Sequence, residues 1–441
     1  MTSETYYRPV KYPAFLHEWL ARGRRWDIEY KSYLSNHLTH NFIALGATGA
    51  DEERLAWWER LYTGELEEDP EREPGDLEPP RAFPRNDTAI TEANWRNNIQ
   101  TTRIAFPAYR DFFDARLAGI GLSETLRRYG PALMPGLAGA AAHAIIHAGW
   151  AVDVESLDMA GEGLAYLATA AQPLGTGAAH ARSGPLWAPG GADPIDAALA
   201  YLTDERAQEW TGIAQRASES DDYVALNRGG FQQRLIAFDD PRLPLAASLN
   251  AIGPLAMPPI TEKLTDLVET LTALCAIALE ASENEFFVLH GLTSLHGLLA
   301  ILPHLEPGDR RDALAYWYRM LLATMVVQGR PGVDKFADGL KDWRTERSSA
   351  ADQRDPSDDH PEWWKKTREA TFASHDEHVP KAVYALWRWS EWGPFPEATR
   401  TRFRSAASAI VDVPDSMAVH DNLWFANAFS TASQAKERRY D

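Results

Sequence analysis

The chain has a single cysteine, Cys275, in 441 residues. That excludes a disulfide framework and any zinc or iron–sulfur site built from several thiolates. Cations are scarce too. There are 44 Lys and Arg against 63 Asp and Glu, a formal net charge of −19. A phosphate backbone is held by clustered Lys and Arg, so no nucleic-acid partner is expected. An acidic surface also repels anionic membranes. No segment reads as the roughly 18 uncharged apolar residues of a membrane span. The nearest, 136–152, is short and carries His143 and His147. The opening MTSETYYRPVKYPAFLHEW has no basic segment followed by an apolar one, so no secretory signal is expected and the expected location is cytoplasmic.

Common cofactor motifs are missing as well. Gly161-Glu162-Gly163 is the nearest approach to G-x-G-x-x-G, but it lies in a helical pattern and lacks the third glycine. There is no Walker A sequence, no H-E-x-x-H and no G-x-S-x-G. Alternating strand patterns are nearly absent, and runs such as 325–327 are too short for a sheet.

What is present is helical periodicity. Hydrophobic content is 45%, which excludes wholesale disorder. Apolar spacing predicts helices over about 13–35, 36–47, 51–64, 103–118, 123–129, 133–151, 156–171 and 194–218. Further helices are predicted over 261–282, 285–302, 309–328, 362–374, 379–391, 396–410 and 415–429. Three stretches interrupt them. Residues 65–85 are acidic and Pro-rich, 173–194 are rich in Gly and Pro, and 344–361 are polar. The expected fold is therefore all-α, a large irregular multi-helical single domain over 1–441 with these stretches as loop insertions.

The histidines stand out by position. His37 and His40 lie in SNHLTHNFIALGA, and His143 and His147 in GAAAHAIIHAGWAV. His290 and His296 lie in EFFVLHGLTSLHGLL, and His378 in HDEHVPKAVYALW with Lys381 after it. Spacings of three or four put His37 with His40, His143 with His147, and His378 with Lys381 on shared helix faces. His290 and His296 are six apart and point in different directions. A single histidine on an apolar face is more often a hydrogen-bonded core residue. Four such segments shift the balance, because unpaired buried imidazoles are costly and a metal uses their lone pairs.

Taken in order, SNHLTHNFIALGATGA, HAIIHAGWAVD, FVLHGLTSLHGL and HVPKAVYALW resemble the signature segments of the questin oxidase-like family. The resemblance spans nearly the whole chain. It implies an oxidoreductase that opens anthraquinone rings in polyketide secondary metabolism, with O₂ as co-substrate. It also implies non-heme Fe²⁺ held by four histidines and a carboxylated lysine. Carried over to this sequence, the ligands are His40, His147, His290 and His378 with Lys381. That choice takes His40 over His37 and His147 over His143, and leaves His296 as the weakest candidate.

The lysine chemistry is sound on its own terms. Burial among Val379, Ala382 and Val383 favours a neutral amine, which reacts with carbon dioxide to give a carbamate. The carbamate offers the hard anionic oxygen that iron accepts beside imidazoles. Pro380 suits the first turn of a helix. Asn41, Thr293, Asp376 and Glu377 are candidates to orient the imidazoles. Trp150, Phe286, Phe287, Trp387 and Trp389 flank the histidine segments and are candidate walls for a flat aromatic substrate. Two other readings fit the composition. One is a Baeyer–Villiger-type oxidation that uses NADPH, and the other is a helical carrier of an aromatic metabolite.

Overall fold

A computed structural model describes residues 6–8, 11–30, 33–63, 89–99, 103–175, 185–226, 229–349, 360–374, 376–392 and 395–411. The first half begins with α1 (Phe15–Gly23) and an antiparallel pair, β1 (Glu29–Tyr30) and β2 (Leu34–Ser35). There follow α2 (Leu38–Thr48), α3 (Glu52–Thr63), α4 (Phe106–Ile120), α5 (Leu122–Leu133), α6 (His143–Asp153) and α7 (Leu157–Thr169). After β3 (Trp187–Ala188) come α8 (Pro194–Leu202), α9 (Ala207–Ser218), α10 (Asp221–Val224), α11 (Gly230–Ile236) and α12 (Leu245–Asn250). Strand β4 (Leu255–Ala256) pairs in parallel with β3. The last part is α13 (Thr265–Ala281), α14 (Phe286–Ile301), α15 (Pro307–Val327), α16 (Val333–Ser349), α17 (Pro361–Ala370), α18 (His378–Trp392) and α19 (Glu397–Val411). The fold is all-α, with only these four two-residue strands among the described residues.

Several boundaries differ from the sequence pattern. The helix expected over 13–35 stops at Gly23. The chain turns at Arg24, whose guanidinium meets Asp114 at 2.9 Å on α4, and Asp158 at 2.8 Å and Glu162 at 3.4 Å on α7. The helix expected over 194–218 is two helices, because Asp204 accepts from the backbone N–H of Arg206 and starts the second. Residues 344–349 belong to α16, so the expected insertion there shrinks to the polar stretch after it. The segment 219–260 folds into three short helices that the periodicity missed. The expected insertion 65–85 and helix 415–429 lie outside the described residues.

One correction concerns hydrophobic length. Phe286–His304 is long and apolar enough, by length and composition, to cross a membrane, but 89% of its apolar window is buried inside the fold. It is the core helix of the bundle. Against it, α6 crosses at close range. A Cβ on Gly149 would overlap the backbone of Gly297, and one on Gly163 of α7 would overlap Ala148. Gly163, part of the Gly161-Glu162-Gly163 near-motif, thus serves helix packing. The Trp150 indole N–H donates to the Thr293 carbonyl across the α6–α14 crossing. Cys275 is buried in α13.

Candidate metal centre

Four helices converge on one buried point. Asn36 starts α2, its side-chain oxygen accepting from the N–H of Leu38, so His37 sits at the helix entrance. Asp376 does the same for α18, accepting from the N–H of His378 at 2.8 Å. Glu285 caps α14 through the N–H of Val288. Helix α6 begins differently. Ala140, Ala141 and Ala142 all have positive φ, at 50°, 52° and 65°, a left-handed turn that delivers His143. Each such alanine costs roughly 1–2 kcal/mol. An alanine-rich run reads as helix, so no sequence signal announces this turn.

The imidazole contacts fix the tautomers. Nδ1 of His143 lies 2.6 Å from the Ala140 carbonyl, and Nδ1 of His290 lies 2.7 Å from the Phe286 carbonyl. A carbonyl only accepts, so both Nδ1 atoms carry the proton and each neutral ring keeps its Nε2 lone pair. Nδ1 of His37 donates to Glu377 at 2.8 Å, and Nδ1 of His378 donates to Asp376 at 3.0 Å. Carboxylates and carbonyls thus orient all four rings in the way metal-binding histidines are held.

The free edges then meet. Nε2 of His143 is 2.6 Å from Nε2 of His37 and 3.0 Å from Nε2 of His290. One ligand nitrogen from each of His37, His290 and His378 lies within 4.8 Å of the others. Burial holds His37, His143 and His290 well below the usual histidine range, and neighbouring histidines and Lys381 push the same way. Neutral rings that present lone pairs to one another repel. A bound cation removes the repulsion, and imidazole suits iron, zinc, copper and nickel. The donor set therefore fits a transition metal.

Lys381 sits beside this cluster, 2% exposed, with Nζ 3.1 Å from Nδ1 of His37. Burial pushes its ammonium down to about 8, although Glu377 and Asp376 oppose that shift. A neutral amine is thus accessible near neutral pH.

His40 and His147 form a second buried pair beside this cluster, His40 lying 5.9 Å from His37 between ring centroids. Their ring centroids are 5.1 Å apart, one helical turn along from His37 and His143. Neither ring has a hydrogen-bond partner among the described residues, while Nε2 of His147 approaches Glu162 at 3.7 Å. His143 is the histidine whose Nε2 reaches both His37 and His290, while His40 and His147 keep unpartnered ring nitrogens one turn away. His296 points away from His290, its Nε2–H donating to the buried Asp153 at 3.1 Å.

The remaining candidates divide. Asp376 and Glu377 hold imidazoles, as described. Asn41 donates to the His37 carbonyl, and Thr293 bonds back to Leu289 in its own helix. Phe286 lies 4.7 Å from His290 and 4.6 Å from His378, centroid to centroid. Phe287 stacks on Phe231, and Trp150 lies over His40 at 5.8 Å. Trp387 carries Arg368 at 4.0 Å, and Trp389 packs on Phe403.

Periodicity alone missed Asp153, which is fully buried and ends α6. It accepts from Tyr7 at 3.2 Å and from Tyr384, and faces Arg388 at 3.7 Å. Burial would raise its carboxyl, but Arg388, His296 and Tyr384 outweigh that and hold it below the usual range. A lone Asp closing an apolar helix was the available signal.

Residues 34–386 match the family model described as questin oxidase-like, a span that holds His37, His143, His290, His378 and Lys381. No curated protein matches the chain.

Proposed function

The chain belongs to the questin oxidase-like family, membership that implies an oxidoreductase, and on that footing we propose that it is a non-heme iron oxygenase acting on an aromatic polyketide. The observation that carries the metal is the meeting of His143 Nε2 with the Nε2 atoms of His37 and His290 while every Nδ1 is committed elsewhere. The proposed ligands are His37, His143, His290 and His378, with Lys381 as its carbamate.

The carbamate forms when the neutral Nζ bonds to carbon dioxide and releases a proton. It would place an anionic oxygen beside the neutral ring nitrogens. Iron held by that set would supply O₂ and one-electron chemistry. The residues around it do the rest. Glu377, Asp376 and two backbone carbonyls hold ring orientation. Phe286, half-buried between His290 and His378, offers a flat face for an aromatic ring. The helical shell keeps bulk water from the reacting atoms.

The proposed reaction is O₂-dependent cleavage of an aromatic ring such as that of an anthraquinone. Purified protein reconstituted with Fe²⁺ anaerobically, then mixed with a hydroxyanthraquinone and O₂, tests it. Expected are O₂ uptake and a ring-opened product without NADPH. Turnover by protein carrying no metal, or turnover that requires NADPH, would defeat the proposal.

A further inference from the structure

A line of aromatic rings runs from the histidines to the protein surface. His40 lies 5.9 Å from His37, Trp150 lies 5.8 Å from His40, and Tyr384 lies 5.1 Å from Trp150, centroid to centroid. The Tyr384 hydroxyl then meets the Tyr12 hydroxyl at 2.7 Å. Trp150 and Tyr384 are fully buried, whereas Tyr12 is half-buried and touches solvent. Ring contacts of this kind are ordinary core packing. Packing alone does not explain how the Tyr384 proton is held.

The Tyr384 O–H donates to Oδ2 of Asp153. Burial opposes the charge on Asp153, but Arg388, His296 and Tyr384 keep it a carboxylate. Burial and that carboxylate push the Tyr384 phenol well above its usual range, so it keeps its proton. Losing an electron changes this. A phenol that has given up one electron is a strong acid, and a buried tyrosine is oxidised readily only where a base takes its proton at the same moment. Asp153 is that base. Because the Tyr384 hydrogen is committed to Asp153, the Tyr12 O–H is the donor in the bond between the two tyrosines. Trp150 is held differently. Its N–H donates to the Thr293 carbonyl, a poor base, so Trp150 can pass an electron on without parting from its proton.

We infer that Trp150, Tyr384 and Tyr12 form a one-electron relay that drains oxidising equivalents from the histidine centre to the surface. When an O₂-oxidised metal centre has no substrate to hand, Tyr384 gives up one electron through Trp150 and its proton moves to Asp153. Tyr12 then passes one hydrogen atom from its hydroxyl to the Tyr384 oxygen. A hydrogen-atom donor in solution, such as ascorbate, restores Tyr12, and Asp153 releases its proton to solvent. Over all steps ascorbate loses one hydrogen atom, the centre gains the electron and solvent gains the proton. The drain spares the imidazoles from oxidation. The inference rests on the proposed iron chemistry only for its oxidant; the rings and their base are in place without metal.

Photo-oxidation of metal-free protein with tris(bipyridine)ruthenium(III), followed by freezing and EPR, tests the relay. Wild type should hold a tyrosyl radical that survives to freezing and whose splitting narrows when ring-deuterated tyrosine is incorporated. Tyr384→Phe removes one hydroxyl, keeps the ring and should lose the signal. Fe²⁺-loaded wild type mixed with hydrogen peroxide and no substrate should form the same radical. Trp150→Phe should not form it with peroxide, while still forming it under photo-oxidation. Tyr12→Phe, at a half-buried position, should form it with peroxide but lose its rapid quenching by ascorbate. No persistent radical in photo-oxidised wild type, or an undiminished one in Tyr384→Phe, overturns the relay. A full peroxide signal in Trp150→Phe overturns the route from the centre, and unchanged quenching in Tyr12→Phe overturns the exit. Protein that takes up no Fe²⁺ would sink the metal reading while photo-oxidation still decides the relay.

Discussion

Nε2 of His37 lies 2.6 Å from Nε2 of His143, and the Nδ1 of each ring already donates, to Glu377 and to the Ala140 carbonyl. Two neutral imidazoles in this arrangement have no proton to share. Adding one is opposed by burial and by neighbouring positive charge. A cation bound by both Nε2 lone pairs would relieve their repulsion, and this sets the first expectation.

Metal content should follow the convergent rings. His37→Ala and His143→Ala should each retain far less iron than His147→Ala, whose ring faces His40 instead. Asp376→Asn and Glu377→Gln remove orienting partners and should weaken metal binding by roughly 10–100-fold. Metal analysis after equilibration with buffered Fe²⁺ measures all of these. Full iron in His143→Ala with none in His147→Ala would return the ligand role to the deeper pair.

Lys381 should behave oppositely with and without metal. In metal-free, bicarbonate-free buffer its folded pKa of about 8 lies below the unfolded value. Below pH 8 the folded state holds a buried charge it disfavours, and the penalty fades as pH rises from 8 to about 10.4. Lys381→Met should therefore stabilise metal-free protein at pH 7 by up to about 3 kcal/mol, with the gain vanishing above pH 10.4. The same variant should lose iron and turnover, and bicarbonate should assist reconstitution of wild type only. Urea unfolding across that pH range, beside iron analysis, checks both halves. Lys381→Arg should fail as well, since a guanidinium stays charged and forms no carbamate.

Acid should unfold the metal-free protein early. His37, His143 and His290 have folded pKa values well below the usual 6.5, chiefly from burial. As pH falls below about 6.5 the unfolded chain takes up protons that the folded chain refuses, so stability drops. The slope is roughly 1.4 kcal/mol per pH unit for each such ring. Denaturant midpoints at pH 7.5 and 5.5 should show this, with a shallower dependence in His143→Leu. A flat profile would mean that the rings accept protons in place.

Asp153→Ala should cost about 3–5 kcal/mol, because it removes the one fully buried carboxylate beside the Arg388 guanidinium, which keeps only the partly exposed Glu391 and the Arg8 carbonyl. It also removes the partner of His296 and the acceptor of Tyr7 and Tyr384. Iron content should survive in the fraction that folds, since Asp153 touches none of the four convergent rings. Chemical unfolding and metal analysis of one preparation separate the two effects.

The sequence by itself determined the helices and the neighbourhood of the site. Apolar periodicity, capping residues and proline placed α13, α14, α15, α18 and α19 within a few residues, because those signals are local. Four histidine-bearing apolar segments were visible for the same reason. A pair spacing of three or four puts both rings on one helix face but leaves open which of them reaches the centre. That depends on where α2 and α6 begin and how they meet α14. The start of α6 is set by three alanines in a left-handed turn, stabilised by Gln232 from 91 residues along the chain and by His143 itself. The approach of α6 to α14 is set by glycines whose backbones touch. These are long-range relationships between residues of low information content, alanine and glycine among them, and no window of sequence contains both partners. Only the tertiary structure could turn His37 and His143 toward His290, leave His40 facing His147, and send His296 to Asp153.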